Sequence, residues 1–176
     1  MIRLTDELLE LSRIESGQIR MLSEPVDMKE LLQHCQEIFS IQAGEKSIQL
    51  RPNLEPVSPV IGDIDRLEQV FNNLLDNALK HTPAGGKVSI ATCQSSTDFV
   101  EITIADTGPG IPPEQLPHVF ERFYQVKEMK SGTGLGLAIA KEIVRAHGGD
   151  ITVNSVLDEG TEFLVRLPGR GVAHSR

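Results

Sequence analysis

Asp63-Ile-Asp-Arg-Leu-Glu-Gln-Val-Phe-Asn-Asn-Leu-Leu-Asp-Asn-Ala-Leu-Lys-His81 reads as one long helix with two unlike faces. At about 100° per residue, Leu67, Phe71, Leu74 and Ala78 fall together, joined by Ile64 and Leu75, and form a face that has to be buried. Gln69, Asn73, Asn77 and Lys80 fall within about 80° of one another on the other side. Asp63 is placed to cap the helix, because its carboxylate can accept from the first free N–H groups. The polar stripe is unusual, since Asn is a poor residue for a helix interior. It reads either as a solvated face or as neutral oxygens and an amine held out toward a metal and its anionic ligands.

The flanking segments say what covers the apolar face. Upstream, residues 28–43 have a helical pattern with Leu31, Leu32, Cys35, Ile38 and Phe39 on one side. Strand-like segments follow at 47–54 and 57–61, where Pro52, Pro56 and Pro59 suit strand ends or an edge. Downstream, 87–93 and 99–105 alternate as two strands joined by a polar turn, and 151–156 and 162–167 form a second such pair. A helix spans 134–147 and stops at Gly148-Gly149. Helices and hairpins without steady βαβ alternation predict an α+β domain: a two-layer sandwich, with a mixed, mostly antiparallel sheet and the helices on one face.

Two segments lie outside that pattern. Residues 1–20 read as a helix ended by Gly17, with Met1, Leu4, Leu8 and Leu11 at coiled-coil spacing. A helix this short is marginal alone in water, so it either docks on the domain or is the end of a longer helix. Residues 169–176 read as a disordered tail.

With 176 residues the chain has room for one domain and a short appendage. Its net charge of −8 argues against a nucleic-acid partner, which would need basic patches. No apolar run reaches membrane-spanning length and the N-terminus lacks a signal pattern, so the expectation is a cytoplasmic chain that makes no membrane contact of its own. Cys35 and Cys93 match no zinc or redox spacing, and both read as reduced, partly buried thiols.

Glycine is where the chemistry concentrates. Asp106-Thr-Gly-Pro-Gly-Ile111 stands at a strand end, where an Asp can accept from an exocyclic amine and glycines let backbone approach a ring. Gly132-Thr-Gly-Leu-Gly-Leu137 opens a helix, whose N-terminal N–H groups and dipole favour an anion. Neither a P-loop nor a dinucleotide fingerprint is present: Leu137 stands where the last glycine of the latter belongs, and Gly85-Gly86-Lys87 runs into Val88. The long Pro-containing loop between the two glycine segments suits a functional or mobile element.

These segments, in this order, resemble the catalytic and ATP-binding domain of sensor histidine kinases, in the ATPase superfamily that includes gyrase, heat-shock chaperone and MutL. Gln69 to Thr82 matches the asparagine box, Asp106 to Ile111 the first glycine box, Phe120-Glu-Arg-Phe-Tyr124 the phenylalanine box, and Gly132 to Leu137 the second glycine box. Leu8-Leu-Glu-Leu-Ser-Arg-Ile-Glu-Ser-Gly17 is similar to the end of the second dimerisation helix, and Gly160-Thr-Glu-Phe163 to the closing strand.

The resemblance implies a Bergerat-type fold, ATP and Mg²⁺ as ligands, and roles for matching residues. Asn77 would ligate Mg²⁺, with Asn73 and Lys80 near the phosphates. Asp106 would recognise the adenine amine, helped by Thr161, with Gly108 and Gly110 bordering the ring. Residues 111–133 would form the lid, including Ile111 and Tyr124, and Gly132, Thr133, Gly134, Leu135, Gly136 and Leu137 would face the triphosphate. Many members carry Arg after the Phe-Tyr pair, where this chain has Gln125; Lys127 or Lys130 stands as the replacement.

Members that hydrolyse ATP place a general-base Glu where this chain has Asn73, so water is not the expected nucleophile. The expected acceptor is a histidine in an H-E/D-x-x-x-P-like box, and none of His34, His81, His118, His147 and His174 lies in one. The expectation is therefore a fragment without a catalytic residue of its own: 1–20 as the end of the dimerisation and phosphoacceptor helix, 21–168 as the catalytic domain. The implied partners are the missing dimerisation domain and a response regulator, in a full-length homodimer for which a membrane anchor stays open. Two other readings stay open: a nucleotide-sensing interaction module, and a serine kinase of the anti-sigma-factor type on the same fold.

Overall fold

The computed structural model describes residues 2–95, 98–127 and 132–169. The elements run α1 (Ile2–Glu15), β1 (Glu24–Val26), α2 (Met28–Glu45), β2 (Gln49–Leu54), β3 (Val60–Gly62), α3 (Ile64–His81), β4 (Lys87–Gln94), β5 (Phe99–Asp106), a 3-10 turn (Leu116–His118), α4 (Gly136–Ala146), β6 (Asp150–Val156) and β7 (Gly160–Pro168). Five strands form one sheet in the order β2-β4-β5-β7-β6, with β2 parallel to β4 and every other pairing antiparallel. The α+β sandwich expected from the pattern is the fold observed. The second strand-like segment departs from it: β3 begins at Val60 and pairs with β1 in a separate two-stranded sheet.

Alternation sets the core. Along β5 every second residue, Val100, Ile102 and Ile104, is buried, and the register places Ile104 between Ile90 of β4 and Phe163 of β7. Helix α3 covers this stripe with Leu67, Val70, Phe71, Leu74, Leu75, Ala78 and Leu79, all buried, and α2 and α4 pack on its flanks. Burying a Leu or Phe side chain is worth about 1.5–3 kcal/mol, so this shared face supplies much of the stability. Ile64 and Ile38, expected on apolar faces, are instead about half exposed, because the buried arc of α3 begins at Leu67 and that of α2 is carried by Met28, Leu31, Leu32 and Cys35.

Pro52 sits in β2, an edge strand, where a missing N–H costs no ladder bond on the open side. Helix α1 docks on α4 and buries Leu11 and Ile14, whereas Leu4 and Leu8 of the same expected seam are exposed and Met1 lies outside the described residues. Cys35 is buried, and burial, followed by the charge of Glu68, pushes its thiol up to about 12. Cys93 is exposed, a correction to the reading of both thiols as partly buried; it points off the open face of the sheet. Gly169 bridges to Val60, and the rest of the expected tail lies outside the described residues. Among the described residues no helix is long and apolar enough to cross a membrane.

Asp63 joins three parts of the fold. Its Oδ1 accepts from Asp65 N–H at 3.1 Å and Arg66 N–H at 3.2 Å, its Oδ2 accepts from Leu22 N–H at 3.0 Å, and its own N–H donates to His147 Nε2 at 3.0 Å. His147 therefore carries its proton on Nδ1, which donates to Ile143 O at 2.7 Å. Burial pushes the Asp63 carboxyl up, but the N–H groups of Leu22, Arg66 and Asp65 and the Arg66 guanidinium outweigh it and hold it below the usual range. A depressed folded value adds stability that is present above the unfolded carboxylate value and is lost as pH falls through the folded one. Asp63→Ala is expected to cost about 2 kcal/mol at pH 7 from the lost cap and charged hydrogen bonds. The deficit should shrink toward pH 3, as urea midpoints of both proteins would record; a deficit unchanged with pH would contradict this account.

Candidate functional site

The core stripe of β5 ends in a carboxylate. Asp106 continues the inward alternation, opposite Val88 of β4 and Thr161 of β7, and is 9% exposed. Its Oδ1 accepts from Gly108 N–H at 2.8 Å. Burial raises its pKa from the ordinary carboxylate value, and the N–H groups of Gly108 and Thr161 pull it partly back. A carboxylate has about four lone-pair sites, so the bond from Gly108 leaves it able to accept from a ligand amine.

A hydroxyl pair lies beside it. Ser155 Oγ donates to Gly160 O at 2.8 Å, stands 2.9 Å from Thr161 Oγ1 and accepts from Ile111 N–H at 2.8 Å. Ser155 thus ties the start of the lid to the strand that carries Thr161, a role the sequence reading missed because nothing local marks it. Gly110, with φ 72°, passes so close to Val156 O that an added Cβ would stand 2.2 Å from it. Only glycine lets the chain take this left-handed path past that backbone.

The polar stripe of α3 faces a cleft of about 890 Å³ of empty space, open solvent included. Asn73, Asn77 and Lys80 line it from the helix, Ile111 and Tyr124 from the lid, and Gly132, Thr133, Gly134, Gly136 and Leu137 from the mouth of α4. The asparagine helix, the lid and the second glycine segment therefore do converge. Asp106, Gly108, Gly110 and Thr161 sit outside this lining, joined to it through Ile111 and Ser155. Leu135 is fully buried, its N–H 3.3 Å from Thr133 Oγ1. Lys127 is exposed; Lys130 lies outside the described residues.

Several groups here are held by partners. Asn73 Nδ2 donates to Gly136 O at 3.0 Å, so the helix stripe is fastened to the start of α4. Lys80 Nζ stands 2.6 Å from Asp76 Oδ2, one turn away, a pairing the i,i+4 spacing makes legible. Gln125, at the position where the resemblance leads one to expect Arg, donates from Nε2 to Gly132 O at 2.6 Å and ties this segment to the second glycine segment. Burial first, then Lys80 and Lys46, lower the pKa of His81, against an opposing pull from Asp76; the imidazole on the cleft wall is thereby favoured in its neutral form.

The most distant contribution comes from α1. Glu7 lines the cleft and its Oε2 accepts from Thr133 Oγ1 at 2.5 Å. Further along the helix, Glu10 accepts from Arg66 and from Gln69 Nε2, and Glu15 pairs with Arg122. Arg122 and Thr133 are thus both tied to one helix, contacts no local pattern announces.

The donor set suits a cation brought in by a polyanion. Among the described residues no cluster of three or more His, Cys, Asp or Glu could hold a metal ion unaided. Asn77 offers a neutral oxygen beside the paired carboxylate of Asp76, and magnesium on nucleotide phosphates takes only one or two protein oxygens. The residues present therefore fit the ion in that form.

Known proteins resemble this chain in sequence and fold. The sequence profile of a family described as histidine kinase-, DNA gyrase B-, and HSP90-like ATPase matches residues 62–171. The chain is 36% identical over 171 residues to the adaptive-response sensory kinase SasA of Microcystis aeruginosa, covering 96% of this chain and 44% of that one. It is 38% identical over 170 residues to the sensor protein SrrB of Staphylococcus aureus, covering 94% and 29%. The chain spans less than half the length of these curated relatives. Among solved structures, full-length ShkA in complex with AMPPNP matches with a TM-score of 0.87 at 32% identity, over 97% of this chain and 36% of that one. The mycobacterial sensor histidine kinase MprB matches with a TM-score of 0.78 at 38% identity, over 85% of this chain and 100% of that one.

Proposed function

This chain belongs to the histidine kinase-, DNA gyrase B- and HSP90-like ATPase family, and from that premise we propose that it is the ATP-binding catalytic part of a sensor histidine kinase. It donates the γ-phosphoryl group of ATP to a histidine on a dimerisation domain, from which a response regulator receives it. Residues 21–168 form the catalytic domain, and 1–20 the end of the dimerisation helix. The observation that carries the reading is the convergence on one cleft of an asparagine helix, a lid and a glycine-rich helix mouth, with an amide rather than a carboxylate at Asn73.

In this reading Asp106 accepts from the adenine amine, with Thr161 and the backbone of Gly108 and Gly110 around the ring. The glycine segment from Gly132 to Leu137 offers backbone N–H groups to the phosphates at the helix N-terminus. Asn77 would hold the magnesium ion that the nucleotide carries, and that ion would supply positive charge to the phosphates. Lys80 adds a cation once Asp76 yields it. Tyr124 and Lys127 form part of the lid that excludes water. Asn73 cannot take a proton from water, so the γ-phosphoryl group waits for an acceptor brought into line. Transfer then depends on positioning, which suits a donor domain that meets its histidine on another element.

The test combines the chain with a separately purified dimerisation domain of a related sensor kinase and γ-labelled ATP. Acid-labile label on the histidine of that domain is the expected result, with no label on this chain alone. Binding of Mg-ATP without transfer to any such domain would support a nucleotide-sensing module instead, and release of free phosphate at a comparable rate would contradict the role given to Asn73.

A further inference from the structure

The chain leaves the sheet after Asp106; the lid starts at Ile111 on the cleft wall, turns through Pro112 and Pro113, and lines the cleft again at Val119 and Tyr124. Between these points lies Gln115, a polar side chain only 7% exposed, in a segment that also buries Ile111 and Val119. Its Oε1 accepts from Tyr124 O–H at 3.1 Å and from Lys127 N–H at 3.1 Å. A carbonyl oxygen has two lone pairs, and both are used. One atom therefore cross-links the start of the lid to residues nine and twelve positions on.

The two bonds bracket the part of the lid that matters. Tyr124, Gln125 and Val126 line the cleft, and Lys127 follows them directly. The residue before, Phe123, has φ 61° and is half exposed, so the chain enters this stretch through a conformation that a bulky residue rarely adopts. Phe123 N–H donates to Gly134 O at 2.9 Å, which fastens the turn on one side only. The Tyr124 ring lies 5.6 Å from that of His118, a contact that sets its place but not the direction of its hydroxyl. Gln115 supplies what is missing: a fixed acceptor behind the ring and behind the backbone that follows it.

We propose that Gln115 is a positioning residue of the lid, its buried side-chain oxygen holding the Tyr124 phenol and the Lys127 backbone so that the stretch between them faces the nucleotide. This rests on reading the cleft as a nucleotide site, but the contact can be tested without nucleotide. Leu matches Gln in size and cannot accept; Glu keeps an acceptor oxygen in the same place. Both freed donors lie near solvent, so water can satisfy them and the domain keeps its fold.

The chain holds one tyrosine and no tryptophan, so intrinsic fluorescence reports Tyr124 alone. In the 176-residue protein, Gln115→Leu is expected to enlarge the fast component of the tyrosine anisotropy decay, and to weaken Mg-ATP binding about tenfold through faster dissociation. Gln115→Glu should restore both to within about threefold of wild type, with thermal midpoints of the two variants alike. Tyrosine mobility unchanged in Gln115→Leu, or a Gln115→Glu protein as impaired as Gln115→Leu, would overturn the proposal. A wild-type chain that shows the fluorescence difference yet binds no Mg-ATP would overturn the functional reading and leave the positioning contact standing.

Discussion

Asp106→Asn is expected to weaken Mg-ATP binding about a hundredfold, ~2.7 kcal/mol, while leaving the protein folded and at least as stable as wild type near pH 7. The substituted side chain keeps an oxygen for Gly108 N–H, which Asp106 Oδ1 now accepts at 2.8 Å. Its other end becomes an NH₂ group, and a donor then faces the donor amine of adenine. Stability moves the other way because of burial. The folded protein binds a proton at Asp106 more readily than the unfolded chain does, since desolvation raises its pKa more than the N–H groups of Gly108 and Thr161 lower it. With a raised folded value, the group's contribution is fully present below the unfolded carboxylate value and is lost as pH rises through the folded one. Asn titrates nowhere in this range. The variant's advantage should therefore be absent below about pH 4 and grow as pH rises. Calorimetric titration with Mg-ATP and urea midpoints at pH 4 and 7 measure both halves. Retained affinity would remove Asp106 from the site, and a variant less stable at pH 7 than at pH 4, relative to wild type, would refute the electrostatic account.

Gly160→Ala should be the most damaging added methyl among the described glycines, at a cost above about 3 kcal/mol, a large part of the 5–15 kcal/mol that holds a domain folded. Gly160 opens β7 with φ 131°, a conformation that L side chains rarely take. An added Cβ would stand 1.9 Å from Asp106 O and 2.9 Å from its carbonyl carbon. Neither neighbour can give way, because Asp106 is paired on both sides within the sheet. Nucleotide affinity should fall with stability, since the displaced backbone is that of Asp106, the residue proposed to accept from adenine, and of its cross-strand partner Thr161. Gly44→Ala is the control: it lies in α2 with nothing within 4 Å of the added atom. There the change should be neutral or stabilising by up to about 1 kcal/mol, from helix propensity alone. Urea unfolding of the two variants measures the contrast, and a Gly160→Ala protein within about 0.5 kcal/mol of wild type would contradict the close-approach argument.

Much of this was legible in the chain. The cap at Asp63, the two faces of α3, the alternation of β4 and β5 and the glycines at the mouth of α4 follow from rules that act over a few residues, so the pattern carries them in full. The same locality explains the departures. Ile64 and Ile38 have the right spacing for a buried face, yet which arc of a helix is covered depends on what packs there. Cys93 alternates correctly but on the open side of the sheet, and a strand pattern does not tell which side is open.

The convergence of the site is of another kind. Asp106 meets Thr161 because β5 and β7 pair in one register out of many, and Ser155 reaches Ile111 because β6 pairs with β7 in turn. Glu7 reaches Thr133 across 126 positions, and Gln115 collects two donors from the returning lid. Periodicity and turn chemistry are local and survive in any arrangement of the same elements. Register, docking and the sharing of one buried acceptor by distant donors exist only once the layers have packed, and it is those that bring the asparagine helix, residues 111–126 and the glycine-rich mouth of α4 onto one cleft.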